Sequence, residues 1–375
     1  SAGSADLLVR VSRCSGPAKR PGGELRPSRT MPVAPSISPQ ALSSHRYSGI
    51  LPLIPTPMPE ATAPRRAALF TDGSAGNEKQ AAALAQYLAL EPQIHRLKLR
   101  GLSGLLAPFL LPGRLSDLDC TPALDPARLA PVLIGCGRAG GVALSVLKRQ
   151  NPDFITLQIL DPRCSPTRFD LVITPQHDRL RGRNVLISLG ALNTVDGAFL
   201  KRARADFAEL TALRSPRVAV LFGAPTRHAQ FDEAYVDRLF ATLPAEGTLF
   251  ITASRRTPAA LVERLRALAH GRGRIWAGAE DGPNPYPGFL AAAERIIVTP
   301  DSVNMLSEAC GTEVPVEILL PLRLSGKLQK FVDALLQSGR VRLLGDREPA
   351  QPIVPFRETA AIAAEVRRRL GWPVA

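Results

Sequence analysis

The sequence predicts an α/β protein made of two consecutive open parallel-sheet units that face a central cleft, behind a disordered N-terminal leader. Short β-branched apolar runs alternate with amphipathic helical stretches from residue 67 onward, which is the sign of parallel α/β architecture. The alternation comes in two series, divided at Arg214-Ser215-Pro216-Arg217. Each series spans about 130 to 150 residues, an ordinary domain size.

Residues 1–66 hold 11 of the 35 prolines and nine Arg or Lys against three acids, with no sustained periodicity. Such a segment cannot bury enough apolar surface to offset its ordering entropy and reads as disorder. Met58 lies just ahead of the first apolar strand and the chain begins with Ser1. The expectation is a translated upstream region with the natural start at Met58 or Met31. An organellar transit peptide is the alternative, and the leader lacks the amphipathic helix that one would need.

The first series places strands near 67–72, 94–99, 131–135, 154–160, 170–174 and 184–189, then a helix near 196–210. The second places them near 217–222, 248–253, 274–278, 295–299 and 314–319, each followed by helical pattern. The expected units are residues 67–213 and 214–345, with a helical tail over 346–375. In open sheets of this kind ligands bind beyond the carboxyl ends of the strands, so the active site is expected between the two units.

The formal charge is +14, but beyond Arg66 the count is 38 basic to 30 acidic residues. That excess suits anionic substrates or an anionic membrane surface, and aromatic residues at 5% give few platforms for stacking bases, so nucleic acid is not an expected partner. The five cysteines show no C-x-x-C pair and no histidine at ligand spacing, which points to reduced thiols and no metal site. No apolar run reaches the ~20 residues of a spanning helix; a membrane would be met from the side.

The polar strand ends carry the candidate chemistry. Thr71-Asp72-Gly73-Ser74-Ala75-Gly76-Asn77-Glu78 follows the first strand, with Gly73 and Gly76 letting backbone approach a ligand and Asp72 aimed at the crevice. Gly135-Cys136-Gly137-Arg138-Ala139-Gly140 follows a later strand, with Asp161 21 residues on, the spacing of a dinucleotide fingerprint. It falls on the third strand of its series, so its glycines read mainly as a tight turn lining the crevice. His177, with Asp178 beside it, is a candidate base because imidazole titrates near neutral pH. Asn193 is expected to line the same cleft.

In the second series, Gly223 follows a strand and Ser254-Arg255-Arg256-Thr257-Pro258 follows the next. Guanidinium forks bind phosphate oxygens bidentately, and a departing diphosphate needs its charge neutralised. Thr299-Pro300-Asp301-Ser302 then leads an apolar strand into a helix, whose free N–H groups and positive end are a seat for phosphate. Glu308 lies nearly two turns along that helix, where a carboxylate could accept bonds from two ribose hydroxyls. Asp117-Leu118-Asp119 matches a metal-binding D-x-D but is expected in a Leu/Pro-rich loop without a strand to present it.

In chain order, the segments Thr71 through Glu78, Asp170 through Asp178, Gly190 through Asn193, Ser254 through Pro258, Gly282 through Tyr286, Thr299 through Glu308, and Ser325 through Lys327 with the helix to Phe331 resemble the mitochondrial-fission ELM family. The resemblance covers nearly everything from 67 to 345. It implies a GT-B-like fold of two facing Rossmann-like domains and, for bacterial members, glycosyltransferase activity in cell-surface polysaccharide synthesis. It also implies that Glu308 holds a donor ribose, as in the peptidoglycan N-acetylglucosamine transferase group. Ala224 stands where a second glycine is common, and Thr226-Arg227 where a serine and a basic residue are common.

The resulting expectation is a cytoplasmic, metal-independent transferase, peripheral at the inner face of the membrane, that takes a nucleotide diphosphate sugar as substrate and needs no cofactor. Its acceptor would be a lipid-linked or cell-envelope glycan. The second unit would bind the donor through Glu308, Ser302, Asp301, Ser254, Arg255, Arg256 and Gly223, with Lys327 a lesser candidate. The first would bind the acceptor and supply a base from Asp72 or His177. Two alternatives stay open: an NAD(P)-dependent nucleotide-sugar epimerase or oxidoreductase using the 135–140 turn, and a non-catalytic adaptor of the fission type.

Overall fold

Ala67, Ala68, Leu69 and Phe70 are wholly buried, as a short apolar run between turn residues must be when it forms a central strand. They make up most of β1 (Arg66–Thr71) in a computed structural model that describes residues 65–109, 113–346 and 352–373. The expected leader lies outside these residues except for its last two. After β1 come α1 (Ala75–Tyr87), β2 (Glu91–Leu99), α2 (Gly101–Leu106), β3 (Leu118–Thr121), β4 (Val132–Cys136), α3 (Gly137–Gln150), β5 (Ile155–Ile159), β6 (Leu171–Pro175) and β7 (Val185–Ser188). They form one sheet in the order β3-β2-β1-β4-β5-β6-β7, parallel except for β2 with β3.

The chain then runs through α4 (Gly197–Asp206) and α5 (Ala208–Thr211) into a second series. This comprises β8 (Arg217–Phe222), β9 (Ala229–Gln230), α6 (Glu233–Ala241), β10 (Thr248–Ala253), α7 (Ala259–Ala269), β11 (Gly273–Trp276), α8 (Tyr286–Ala292), β12 (Arg295–Val298), α9 (Val303–Cys310), β13 (Val316–Ile318), β14 (Arg323–Leu324), α10 (Gly326–Gln337), β15 (Val341–Leu343) and α11 (Glu358–Leu370). The second sheet is parallel throughout, in the order β11-β10-β8-β12-β13-β15, while β9 and β14 pair as a small antiparallel ribbon.

In the first sheet β1 sits between β2 and β4, and in the second β8 sits between β10 and β12. Chain direction across the sheet therefore reverses beside β1 and beside β8, and the crevices open between β1 and β4 and between β8 and β12. Both faces of each sheet are covered by apolar side chains, Leu84 and Leu157 on one face of the first, Leu97 and Leu144 on the other. The second sheet packs Phe250 and Phe289 on one face and Tyr235 and Leu265 on the other.

Every expected strand is present, with ends shifted by up to three residues; β2 starts at Glu91 because exposed Glu91 to Gln93 continue the ladder with β1. The stretch expected as a loop around Asp117 instead leads into β3, in which Asp119 pairs across to Lys98 in register. Short strands β3, β9, β14 and β15 are additional. The tail expected over 346–375 contains α11, which folds back so that Ile362, Ala363 and Val366 join the core of the first sheet. Buried Arg367 donates to the carbonyl of Leu88 at 2.7 Å, closing the end of α1.

Helix α9 is fixed at its far end by Arg340, 6% exposed, whose guanidinium donates to the carbonyls of Cys310, Ala309 and Thr312 at 2.9, 3.1 and 2.8 Å. One buried cation thus satisfies the orphan carbonyls of the helix that carries Glu308.

Candidate functional site

The second sheet's crevice is built around a carboxylate. Gly223 N–H, at the end of β8, donates to Thr299 Oγ1 at 2.7 Å, and Thr299 Oγ1 in turn donates to Asp301 Oδ1 at 2.6 Å. Ala224 N–H donates to Asp301 Oδ2 at 3.0 Å. A Cβ at position 223 would lie 2.1 Å from Asp301 Oδ2, so only glycine lets the carboxylate rest against this backbone. Burial raises the pKa of Asp301 above the ordinary aspartate value, opposed by the bonds from Thr299 and Ala224 and by the charge of Arg256. The end of β8 is therefore filled by the carboxyl group of Asp301, whose charged form burial disfavours.

The neighbouring turn is stitched to the same place. Thr257 Oγ1 donates to the carbonyl of Gly223 at 2.7 Å, and Ser254 Oγ accepts Arg256 N–H at 3.3 Å while bonding Thr257 Oγ1 at 3.1 Å. Ser254 thus shapes the turn. Arg255 and Arg256 stand exposed beside the crevice, and neither has a side-chain hydrogen bond or ion pair among the described residues. Ser302 is the N-cap of α9: its Oγ accepts Met305 N–H at 3.3 Å, so the hydroxyl expected for phosphate is spent on the helix.

Glu308 is 5% exposed and reaches across to the first sheet's half of the molecule. Lys79 Nζ, on α1, lies 2.8 Å from Glu308 Oε1 and 5.1 Å from the centroid of the Tyr286 ring. Tyr286 OH donates to Glu308 Oε2; burial and the neighbouring carboxylate keep that phenol protonated well above its ordinary range. Close by, a Cβ on Gly76 would come within 2.3 Å of Asn304 Nδ2, so the start of α1 touches the start of α9 directly. The expected ribose acceptor is in the cleft, with both oxygens engaged.

On the facing side, Asp72 is exposed and Oδ1 accepts Ser74 N–H, Ser74 Oγ and Asn77 Nδ2 at 3.0, 2.7 and 3.0 Å. Gly73 takes the left-handed conformation, φ 77°, that turns the chain under this acid. Asn77 packs on Gly137, whose Cβ would lie 2.8 Å from Asn77 Nδ2. The 135–140 glycines have a packing cause: a Cβ on Gly140 would lie 2.6 Å from the carbonyl oxygen of Phe70, and one on Gly135 2.5 Å from Gln158 Oε1. They bring α3 close against β1. Asp161 accepts Arg163 N–H at 2.8 Å in its own turn.

Three expected residues are engaged elsewhere. Lys327, at the start of α10, forms an ion pair with buried Asp178, so it ties α10 to the β6 turn rather than facing the Gly223 turn. His177 packs its ring 5.5 Å from that of Phe331, with Nδ1 buried and without a hydrogen-bond partner. Burial lowers its pKa, Asp178 opposes the shift and Lys327 adds to it, so the imidazole is neutral at neutral pH. Asn193 is a turn former, accepting Val195 N–H at 3.0 Å and donating to the carbonyl of Ala191 at 3.1 Å. It lines a small cavity shared with Ser307, Phe331 and Glu358. The Asp117 carboxylate is likewise local, accepting Arg114 N–H at 2.8 Å, and Asp119 pairs with Arg100 at 3.0 Å.

Sequence reasoning assigned no role to Lys79, Tyr286 or Ser307, although Tyr286 lies in one of the segments that carry the family resemblance. Ser307 Oγ accepts Ala191 N–H at 2.9 Å, a further contact between the two halves. Glu358, also unassigned, accepts Leu189 N–H at 2.8 Å and Gly190 N–H at 3.1 Å, and burial raises its pKa against those bonds.

A family model described as mitochondrial fission ELM1 matches residues 75–370. The mitochondrial fission protein ELM1 of Arabidopsis thaliana is 32% identical over 279 residues, 64% of this chain and 65% of that protein. The matched stretch thus spans just under two thirds of that relative's length. An uncharacterized protein of Rickettsia prowazekii is 24% identical over 324 residues, 74% of this chain and 90% of that one. Among solved structures, a Listeria monocytogenes protein provisionally named a UDP-N-acetylglucosamine 2-epimerase aligns at TM-score 0.50 and 12% identity, covering 82% of this chain and 97% of that one. The UDP-GlcNAc 2-epimerase of Neisseria meningitidis, solved with UDP-GlcNAc, aligns at TM-score 0.47 and 13% identity, covering 81% and 100%. The Listeria likeness bears on the fold alone, the expected GT-B-like pair of open sheets.

Proposed function

The chain belongs to the mitochondrial fission ELM1 family, and from that premise we propose that it is a metal-independent GT-B-like glycosyltransferase that moves a sugar from a nucleotide diphosphate sugar to a lipid-linked or cell-envelope glycan acceptor. One observation carries the reading: a glycine-bounded turn at the β8–β12 crevice, flanked by the exposed guanidiniums of Arg255 and Arg256, which have no side-chain partner among the described residues. A diphosphate has the charge and the planar oxygen pairs those groups recognise. Glu308, on the helix that opens at the same crevice, is the ribose acceptor, its bonds to Lys79 and Tyr286 exchanged for ribose hydroxyls.

In the reaction, the acceptor hydroxyl gives its proton to Asp72 Oδ2, the oxygen not used by Ser74 and Asn77. The hydroxyl oxygen bonds to the anomeric carbon, the bond from that carbon to the diphosphate breaks, and its electron pair leaves on the phosphate oxygen. Arg255 and Arg256 neutralise the departing charge. Asp72 is preferred to His177 as base because it stands exposed at the β1–β4 crevice, whereas His177 is packed on Phe331. The location that fits this reading is the cytoplasm, at the inner face of the membrane.

Calorimetric titration of the wild type and Glu308→Gln with UDP and other nucleoside diphosphates tests it. The variant should lose roughly 1–3 kcal/mol of binding, the worth of charged hydrogen bonds. Equal affinities in two folded proteins would remove Glu308 from the donor site. Stabilisation of the wild type by NAD and not by any diphosphate would favour the oxidoreductase alternative, and binding of neither would favour the adaptor.

A further inference from the structure

The first sheet carries a cavity at the edge away from the cleft. Helix α3 opens at the carboxyl end of β4, beside the crevice, and its 14 residues run back about 21 Å to the other edge of the sheet. There its last turn, with Lys148 and Arg149, meets the turn from Thr167 to Asp170 that leads into β6. Between them lies a cavity of about 340 Å³. That is room for roughly ten waters at ~30 Å³ each, within the range of small-molecule pockets.

The walls are fixed by bonds of their own. Asn184 Nδ2 donates to the carbonyls of Pro166 and Phe169, each at 2.8 Å, and Ser165 Oγ bonds Thr167 Oγ1 at 2.8 Å, so the turn is held from behind. The Phe169 ring is buried in the core on that face of the sheet. Lys148 Nζ donates to the carbonyl of Phe154 at 2.6 Å and to the two oxygens of Asp170 at 3.0 and 2.9 Å. Asp170 Oδ2 also accepts Thr156 N–H at 2.7 Å and Thr156 Oγ1 at 2.8 Å. The lysine and the acid therefore offset each other's charge and spend their bonds on the wall.

Two cations are left over. Arg168 is exposed and has no side-chain hydrogen bond or ion pair among the described residues, and Arg149 is exposed and spends Nη2 alone, on the carbonyl of Gly113 at 2.5 Å. Three cations against the one acid leave the lining with two positive charges. A phosphate monoester carries about −1.5 to −2 at pH 7 and presents the oxygen pairs that guanidinium forks recognise, whereas a carboxylate brings half that charge. A bare phosphate would leave most of the space empty. We propose that this cavity is a second anion site, distinct from the cleft, that takes a small phosphate monoester with its phosphate between Arg149 and Arg168. The inference rests on no part of the transferase reading.

Titration calorimetry with glycerol 3-phosphate tests the inference in the Arg255→Ala/Arg256→Ala protein, in which the cations of the β8–β12 crevice no longer compete for phosphate. This protein should bind with a Kd of about 1 mM or tighter. Adding Arg168→Glu should weaken binding at least tenfold with an unchanged melting temperature, since the side chain is exposed and unpaired among the described residues. Lys330→Glu, an equal change of charge on α10 of the other half, should leave binding as it was. Absence of saturable binding in the Arg255→Ala/Arg256→Ala protein, or equal affinity once Arg168→Glu is added, would overturn the proposal. So would equal weakening by Lys330→Glu, which would reduce the effect to overall charge. In the otherwise wild-type chain Arg168→Glu should leave UDP affinity unchanged, and a parallel loss would show that the cavity is not a separate site.

Discussion

The ends of β1 and β8 occupy the same place in two sheets of like topology, yet they handle negative charge in opposite ways. At the end of β1 the acid is local: Asp72 is exposed and accepts from its own turn, Ser74 and Asn77. At the end of β8 the acid comes from across the crevice: Asp301, after β12, is half-buried against Gly223 and accepts from Ala224. An exposed carboxylate fixed by its own loop keeps its second oxygen open to the cleft. One drawn into the crevice is protonated more readily, because burial raises its pKa against the bonds from Thr299 and Ala224. The difference separates a carboxylate open to the cleft from one folded into it.

Glycine substitution should break the comparison most strongly. Gly223→Ala drives a methyl into the Asp301 carboxylate, and overpacking of that kind costs about 3 kcal/mol. Gly73→Ala meets nothing nearer than Arg96 Cδ at 3.7 Å, so it pays only for a left-handed alanine, about 1–2 kcal/mol. Denaturant titration of both proteins measures the gap. Equal losses would mean that the two turns are alike and that the carboxylate contact at β8 has no energetic weight.

Asp301→Asn sharpens the contrast through pH. Because the folded carboxyl has a raised pKa, the folded state holds more protons than the unfolded one between the ordinary aspartate value of 3.8 and the raised value. Stability is fully present below that window and falls as pH rises through it, with a slope of at most about 1.4 kcal/mol per pH unit. The Asn variant should lack this slope and, keeping one acceptor oxygen, be about 1 kcal/mol more stable than wild type at neutral pH. Melting curves from pH 3 to 7 check the sign. A wild type that gains stability relative to the variant as pH rises would show that Asp301 is stabilised as an anion.

What the sequence made legible follows from burial. Runs such as Val218 to Phe222 and Ile296 to Val298 are strands because both faces of a parallel sheet are covered, and such runs need no partner to be recognised. Edge strands β3 and β15 are short and partly polar, and β9 with β14 is a two-residue pairing, so their pattern is lost among loops. The Gly223, Ser254 and Asp301 turns were visible as polar breaks at strand ends. The capping of α9 by Ser302 has a local cause, since a serine at a strand-to-helix turn is a common N-cap. The contacts of Lys79 with Glu308 and Lys327 with Asp178 were not visible, because each depends on how two separately built sheets meet. No local pattern encodes that placement.

The smallest effect is expected where the two halves compete for one carboxylate. Lys79 is 56% exposed, so its ion pair with buried Glu308 is screened by solvent and contributes under about 1 kcal/mol to stability. A nucleotide whose ribose bonds Glu308 must first displace that ammonium, and the interaction it loses opposes binding. Lys79→Met keeps the chain length and the packing over Tyr286 while removing the competitor. It should lower stability by less than about 1 kcal/mol and tighten diphosphate binding roughly fivefold, the two changes being opposite in sign and similar in size. Titration calorimetry beside denaturant melts measures both. Weaker binding in Lys79→Met would show that the lysine contacts the ligand, and would move a cation from the facing half of the molecule into the donor site.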